Sequence, residues 1–214
     1  MNAGLSLKYL YCTEAGLDAH PDLEDFNPWV VEPRTMANFS ALDTPSPALA
    51  IFEMPAGGLA TFTAAPLVLL LDSVQDPGNV GTLIRTAAWY GCKHVACVTG
   101  TVDVYNEKVV QASMGALAGT NVHYMSAEEW AAFAKEHGHE LVVGHMEGQE
   151  SYQMAWPEKT VLVLGNEGNG VHPFWHQAAQ HTVMIPGRPE AGVESLNVAI
   201  SGATLLYEWG RTRS

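Results

Sequence analysis

An α/β fold built around a mostly parallel sheet is predicted by three features of this 214-residue chain. From Pro66 onward, short apolar runs alternate with segments of helical pattern. The run LVLLLD (67–72) stays apolar until its last residue, as in a parallel strand covered on both faces. The connections between runs are short and rich in Gly, Asn and Asp.

The elements follow in order. TLIRTAAWYG predicts a helix after the turn QDPGNVG, closed by Gly91. HVACVTG is the next strand. NEKVVQASMGALAG predicts one helix with Val109, Met114 and Leu117 among its apolar positions. NVHYM is a short strand. SAEEWAAFAKEHG is a helix whose Ser126 and Glu129 form a capping box. ELVVGHM and TVLVLG are strands, GVHPFWHQAAQ is a short helix, and HTVMIP is the last strand. The final helix carries Leu196, Ile200, Ala203 and Tyr207 on one face, with Val198, Ala199, Leu205 and Leu206 on the others. A helix apolar round most of its circumference is expected to be buried.

Residues 1–65 read as a small or incomplete domain and a linker. KYLYC and ALAIFEM are strand candidates. Residues 20–47, rich in Pro, Asp and Asn, predict loops and short turns, and a linker runs from Pro55 to about Pro66.

The net charge of −13 opposes a protein that coats nucleic acid, because phosphate contacts want Lys and Arg. Glu14, Asp18, Asp22, Glu24 and Asp25 form an acidic run without a base. No apolar run reaches the roughly 18 residues that span a membrane, and the N-terminus lacks the pattern of a signal peptide. Cys12, Cys92 and Cys97 are odd in number and lack metal-ligand spacing, so a reduced, cytoplasmic protein without a metal is expected. His172 and His176 are four apart on a short helix, but no third ligand stands nearby. His137 and His139, at a helix end, are expected to be solvated.

Three strand ends concentrate polar residues. The first is Ser73-Val-Gln-Asp-Pro-Gly-Asn-Val-Gly, with Arg85 further along its helix. The second is Gly165-Asn-Glu-Gly-Asn-Gly. The third presents Glu194, Ser195 and Asn197 within four positions. Ligands of open α/β sheets bind beyond the carboxyl ends of strands, and glycines let backbone groups approach them. Each turn alone has a plainer reading. Asp-Pro-Gly-Asn is a common turn sequence. The glycines of the second fall at the first, fourth and sixth positions, unlike a dinucleotide loop. Ser195 alone reads as an N-cap, and Arg85 alone as a surface side chain.

Together and in this order, LDSVQDPGNVGTLIRTAAWYG (71–91), LVLGNEGNGV (162–171) and IP…ESLNVAISGATLLYE (185–208) resemble the three motifs of the SpoU/TrmH family of RNA ribose 2′-O-methyltransferases, in the SPOUT superfamily. KVVQASMGAL (108–117) resembles an intermediate family segment, and the resemblance covers about 66–210. It implies a methyltransferase domain at 66–214 whose C-terminal segment threads a deep trefoil knot. It implies S-adenosylmethionine as cofactor, RNA (ribosomal or transfer) as substrate, and a homodimer with the site near the subunit interface. Carried over by position, the cofactor lies against Leu164, Gly165, Asn166, Gly168, Ile185 and Leu196. The implied catalytic set is Asn79, Arg85, Glu167, Ser195 and Asn197, with Arg85 as positioner and charge stabiliser. Three departures stand out. Eight residues separate Pro186 from Ser195, a longer stretch than is usual. Gln111 stands where many relatives have Arg. Residues 1–65 match only the latter part of the family's substrate-binding domain, with TPSPALAIFEMP as its exit.

Two other readings compete. A knotted protein that binds cofactor or RNA without methylating is favoured by the acidic charge and opposed by the intact catalytic set. A nucleotide-binding α/β enzyme unrelated to RNA rests only on the Gly-rich turns.

Overall fold

The computed structural model describes residues 5–40, 42–55, 57–166, 168–188, 192 and 195–213. Two compact units divide the chain, Met1–Ala56 and Gly57–Ser214.

The first unit holds a three-stranded sheet, β2-β1-β3. Strand β1 (Leu7–Cys12) lies in the middle, parallel to β2 (Trp29–Val30) and antiparallel to β3 (Ala48–Phe52). Helices α1 (Glu14–Ala19) and α2 (Pro33–Phe39) join them. Both helices fall where sequence predicted no regular structure. Local chemistry explains each. Thr13 caps α1 by accepting from the Gly16 amide at 3.2 Å, and Pro33 opens α2 at a position whose N–H needs no partner. A Cβ on Gly16 would stand 2.7 Å from both Cys12 Sγ and the Pro47 carbonyl, so α1 sits close only because this residue is glycine.

The second unit is a six-stranded sheet in the order β6-β5-β4-β8-β7-β9, every pairing parallel. Its strands are β4 (Leu67–Asp72), β5 (His94–Val98), β6 (Asn121–Met125), β7 (Glu140–Glu150), β8 (Thr160–Gly165) and β9 (His181–Met184). The α/β expectation holds. All six residues of central β4 are buried, as its continuous apolar run requires. Alternate side chains feed two layers. Leu67, Leu69 and Leu71 pack with α3 (Pro77–Trp89), α4 (Glu107–Ala112) and α7 (Val198–Arg211). Val68 and Leu70 pack with α5 (Ala127–Glu136) and α6 (Pro173–Ala178). Each fully buried leucine contributes about 1.5–3 kcal/mol relative to exposure. Residues 57–65, read as linker, belong to this unit, and Phe62 is wholly buried in its core.

Several expectations are corrected. PGNVG is not a free turn but the start of α3. Pro77 takes the first helical position, and the Asp76 carboxylate caps it by accepting from the Asn79 amide at 2.7 Å. The helix expected at 106–119 breaks after Ala112, where Met114 and Gly115 take φ of +49° and +85°, and a 3-10 turn follows. Met114 is exposed as a result. His139 is not solvated. It is buried beneath Phe133, with Nε2 at 2.9 Å from the Ala65 carbonyl.

The last helix is buried on one face only. Val198, Ala199, Gly202, Leu205, Leu206 and Trp209 are buried, whereas Ile200 and Tyr207 are about half exposed, at 55% and 50%, and Leu196, expected on this helix, precedes its cap and is 49% exposed. The buried face is the one carrying Gly202, whose missing Cβ would stand 2.2 Å from Leu83 Cδ2 and 2.8 Å from Leu164 Cδ1. Close approach through that glycine decides which side meets the sheet. The capping box at Ser126 and Glu129 and the helix stop at Gly91 (φ +80°) form as expected. Among the described residues no helix is long and apolar enough to cross a membrane.

Candidate active site

The strand order creates the site. The chain runs outward from β4 through β5 to β6, then continues on the other side of β4 with β7, β8 and β9. The order therefore reverses between β4 and β8, and crevices for ligands open at the carboxyl ends of strands at such a point. The first polar turn leaves β4 there and the second leaves β8. The third follows β9, two strands away.

The first and second turns are tied together. Asp72 faces Gly165 across the β4–β8 ladder. The Asn166 side chain donates from Nδ2 to the Ser73 carbonyl at 3.0 Å. Its Oδ1 accepts from the amides of Gly168 (2.9 Å) and Asn169 (3.1 Å). Its backbone exchanges two hydrogen bonds of 2.9 Å with Gly170. The Asn166 side chain is thus committed to protein, which leaves backbone as its means of holding a ligand. Asp72, only 3% exposed, accepts at Oδ2 from the His172 amide at 2.7 Å. Ser73 takes a left-handed φ of +58°, uncommon for serine, and its N–H donates to Thr101 Oγ1 at 3.1 Å. Thr101 donates onward to the Leu71 carbonyl at 2.9 Å. A Cβ at Gly165 would lie 2.2 Å from backbone atoms of Gly170 and Val171, so the turn folds back on itself only over a glycine.

The first and third turns also meet. Asn197, not Ser195, caps α7, and its Oδ1 accepts from Ala199 (2.9 Å) and Ile200 (3.3 Å). With the oxygen so engaged, Nδ2 donates to Asn79 Oδ1 at 3.0 Å. Ser195 and Leu196 are exposed just before this cap. Arg85 lies on the exposed side of α3, and among the described residues no hydrogen bond or ion pair joins it to the other candidates. Glu167, Glu194 and residues 189–191 and 193 lie outside the described residues.

An apolar floor accompanies the polar groups. Leu164 is buried at the end of β8, and Ile185 is half-buried just past β9. Between them β7 presents Gly144, whose Cβ would be 3.5 Å from Leu164 Cδ2. Burial pushes the thiols of Cys97 and Cys92 up, to about 12 and about 11, away from the thiolate form a nucleophile needs. Among the described residues no three His, Cys, Asp or Glu side chains cluster as a metal site, and His172 instead caps α6. Sequence reasoning did not single out Asp72, Thr101 or the His172 amide. The only signal for Asp72 was an acid ending an otherwise apolar strand.

The family model described as SpoU rRNA methylase matches residues 66–207. A 23S rRNA (guanosine(2553)-2′-O)-methyltransferase of Bacillus subtilis is 35% identical over 173 residues, 79% of this chain and 68% of that protein. The mouse mitochondrial rRNA methyltransferase 3 is 29% identical over 245 residues, and the chain spans 58% of its length. Among solved structures, the SpoU methyltransferase AviRb of Streptomyces viridochromogenes superposes with TM-score 0.86 at 26% identity, covering 99% of this chain and 84% of that one. An rRNA methyltransferase of Sinorhizobium meliloti, solved with S-adenosylmethionine bound, gives TM-score 0.84 at 25% identity, covering 99% and 82%.

Proposed function

Because the chain belongs to the SpoU rRNA methylase family, we propose that it transfers a methyl group from S-adenosylmethionine to a ribose 2′-hydroxyl of ribosomal or transfer RNA. The observation that carries this reading is the Asn79–Asn197 bond at 3.0 Å, which joins two distant polar turns beside the switch point of a parallel sheet.

The residues present suit the cofactor. Leu164, Ile185 and Leu196 supply apolar contact for a purine, and the Gly165–Gly170 backbone supplies hydrogen-bonding groups without intervening side chains. When bound, the cofactor supplies an electrophilic sulfonium methyl. The chain must do the rest. A ribose hydroxyl is a poor nucleophile at neutral pH, so the charge developing on its oxygen needs stabilising. Arg85 is a permanent cation that serves this end and grips an adjacent phosphate bidentately. It is a poor base, because its pKa would have to fall far. Glu167, Ser195 and Asn197 orient the cofactor and the target nucleotide, and Asn79 of the same set holds Asn197.

The same reading makes residues 66–214, with the packed 57–65 segment, the catalytic domain, with a C-terminal trefoil knot carried by the family resemblance, and residues 1–56 a substrate-binding region. A homodimer is supported by the half-exposed Ile200 and Tyr207 on α7, with Leu196 exposed just ahead of the helix, apolar surface a second copy would cover. Three buried, unpaired cysteines agree with a reducing cytoplasm. Mass spectrometry of RNA incubated with protein and cofactor tests the activity. Methylated ribose is expected. Its absence on every RNA offered, with cofactor bound, favours the non-methylating binding protein, which the charge of −13 also suits.

A further inference from the structure

We propose that Asp72 is a positioning residue of this site: its buried carboxylate holds the returning end of the 165–171 turn, and through it the backbone that takes the cofactor. The inference rests on the function proposed above. Asp72 closes a strand whose other residues are all apolar, and packing gives no reason for an acid there. A carboxylate this deep is costly unless hydrogen-bonded. Its bond to the His172 amide, at 2.7 Å, has the length of a charge-assisted one.

The turn is fixed at its outgoing end by Asn166, through the Ser73 carbonyl and the paired bonds to Gly170. Asp72 reaches past those bonds to His172, where the turn hands over to α6. Between the two anchors sits Ser73, left-handed and held at its N–H by Thr101 and at its C=O by Asn166. Backbone in such a conformation persists when its surroundings over-determine it, and clusters at ligand clamps. Asp72 and Asn166 thus cross between the ends of β4 and β8 in opposite directions. Asp72 receives from the later turn, and Asn166 gives to the earlier one. Removing Asp72 frees one end of the turn while the other stays pinned.

Two variants separate the tie from mere stability. Asp72→Asn keeps an acceptor oxygen at the same reach, and Asp72→Ala removes it. Hydrogen exchange at the His172 amide reads the tie without cofactor. Isothermal titration with S-adenosylmethionine reads its consequence. In Asp72→Ala, exchange accelerates and affinity falls, each by at least about tenfold, while Asp72→Asn stays within about threefold in both. Phe133→Leu, a core truncation on α5, leaves affinity unchanged at a comparable loss of stability. If Asp72→Ala does not fold, His172→Pro takes its place. Residue 172 has φ −60° and ψ 142°, which proline fits, and proline deletes the donor. Unaltered exchange at His172 in Asp72→Ala overturns the proposal. So does wild-type cofactor affinity in that variant, or an Asp72→Asn as impaired as Asp72→Ala, which would assign the role to charge. A wild-type chain that takes up no S-adenosylmethionine overturns the proposed function and the cofactor half of this proposal, while exchange still decides the tie.

Discussion

The Asn197 amide is used at both ends: its oxygen caps α7 and its nitrogen donates to Asn79 Oδ1 at 3.0 Å. The cap therefore dictates which end of the side chain faces α3. Asn197→Asp keeps the capping oxygen and removes the donor. Its unfolding free energy from urea titration is expected to stay within about 0.5 kcal/mol of wild type, while single-turnover methyl transfer falls at least about tenfold. Asn197→Ala loses the cap as well and costs about 1 kcal/mol more.

Arg85 separates binding from chemistry. It stands on the exposed side of α3. Arg85→Ala is expected to reduce methyl transfer by at least about a thousandfold, the scale of losing a transition-state charge stabiliser, with cofactor affinity within about threefold. Calorimetry beside a single-turnover assay checks this. Joint loss of both would show that the assignment of roles is wrong.

Gly165→Ala probes the fold of the second turn. The new Cβ would meet Gly170 and Val171 backbone at 2.2 Å, and backbone cannot swing aside as a side-chain end can. A loss of about 1–3 kcal/mol is expected in urea unfolding, with cofactor affinity reduced more than tenfold.

Ile200→Glu tests the dimer. Ile200 is 55% exposed, so folding stability is expected to change by less than about 0.5 kcal/mol. If the proposed dimer forms through this side of α7, a charge at Ile200 shifts the species seen by light scattering from dimer to monomer. A wild-type monomer at the same concentration would remove the dimer from the reading.

His139 makes stability depend on pH. Burial, chiefly, holds its imidazole below the ordinary value; the Ala65 carbonyl opposes this, while Lys159, His137 and His94 reinforce it. His94 is lowered too, by burial and by Lys93. A lowered folded-state pKa means that the unfolded chain binds the proton first. Stability is therefore full above the unfolded value near pH 6.5 and falls as pH drops through it toward the folded value. Urea midpoints between pH 5 and 8 are expected to show this decline, flattened in His139→Gln.

Much of this was legible in the chain itself. The alternation of apolar runs with helical segments set the α/β class, because a strand covered on both faces must be apolar throughout, as 67–71 is. The capping box at Ser126 and Glu129 was readable because its two partners lie three residues apart, although the equally local caps at Thr13, Asp76 and Asn197 were not singled out. The motifs carrying Asn79 and Asn197 were recognised by their resemblance, taken together and in order, to those of a known family. What could not be read depended on partners far along the chain. The side of α7 that is buried follows from Gly202 meeting Leu83 and Leu164, and a helix apolar on several faces does not announce which will find the sheet. His139 looked like a polar helix end until Ala65, 74 residues earlier, covered it. The Asn79–Asn197 bond closes a separation of 118 residues, and that of Asp72 to His172 one of 100. Sequence supplied the chemical groups, since those are fixed by residue type. Only tertiary structure decided which groups meet, because strand order brings the ends of β4 and β8 side by side.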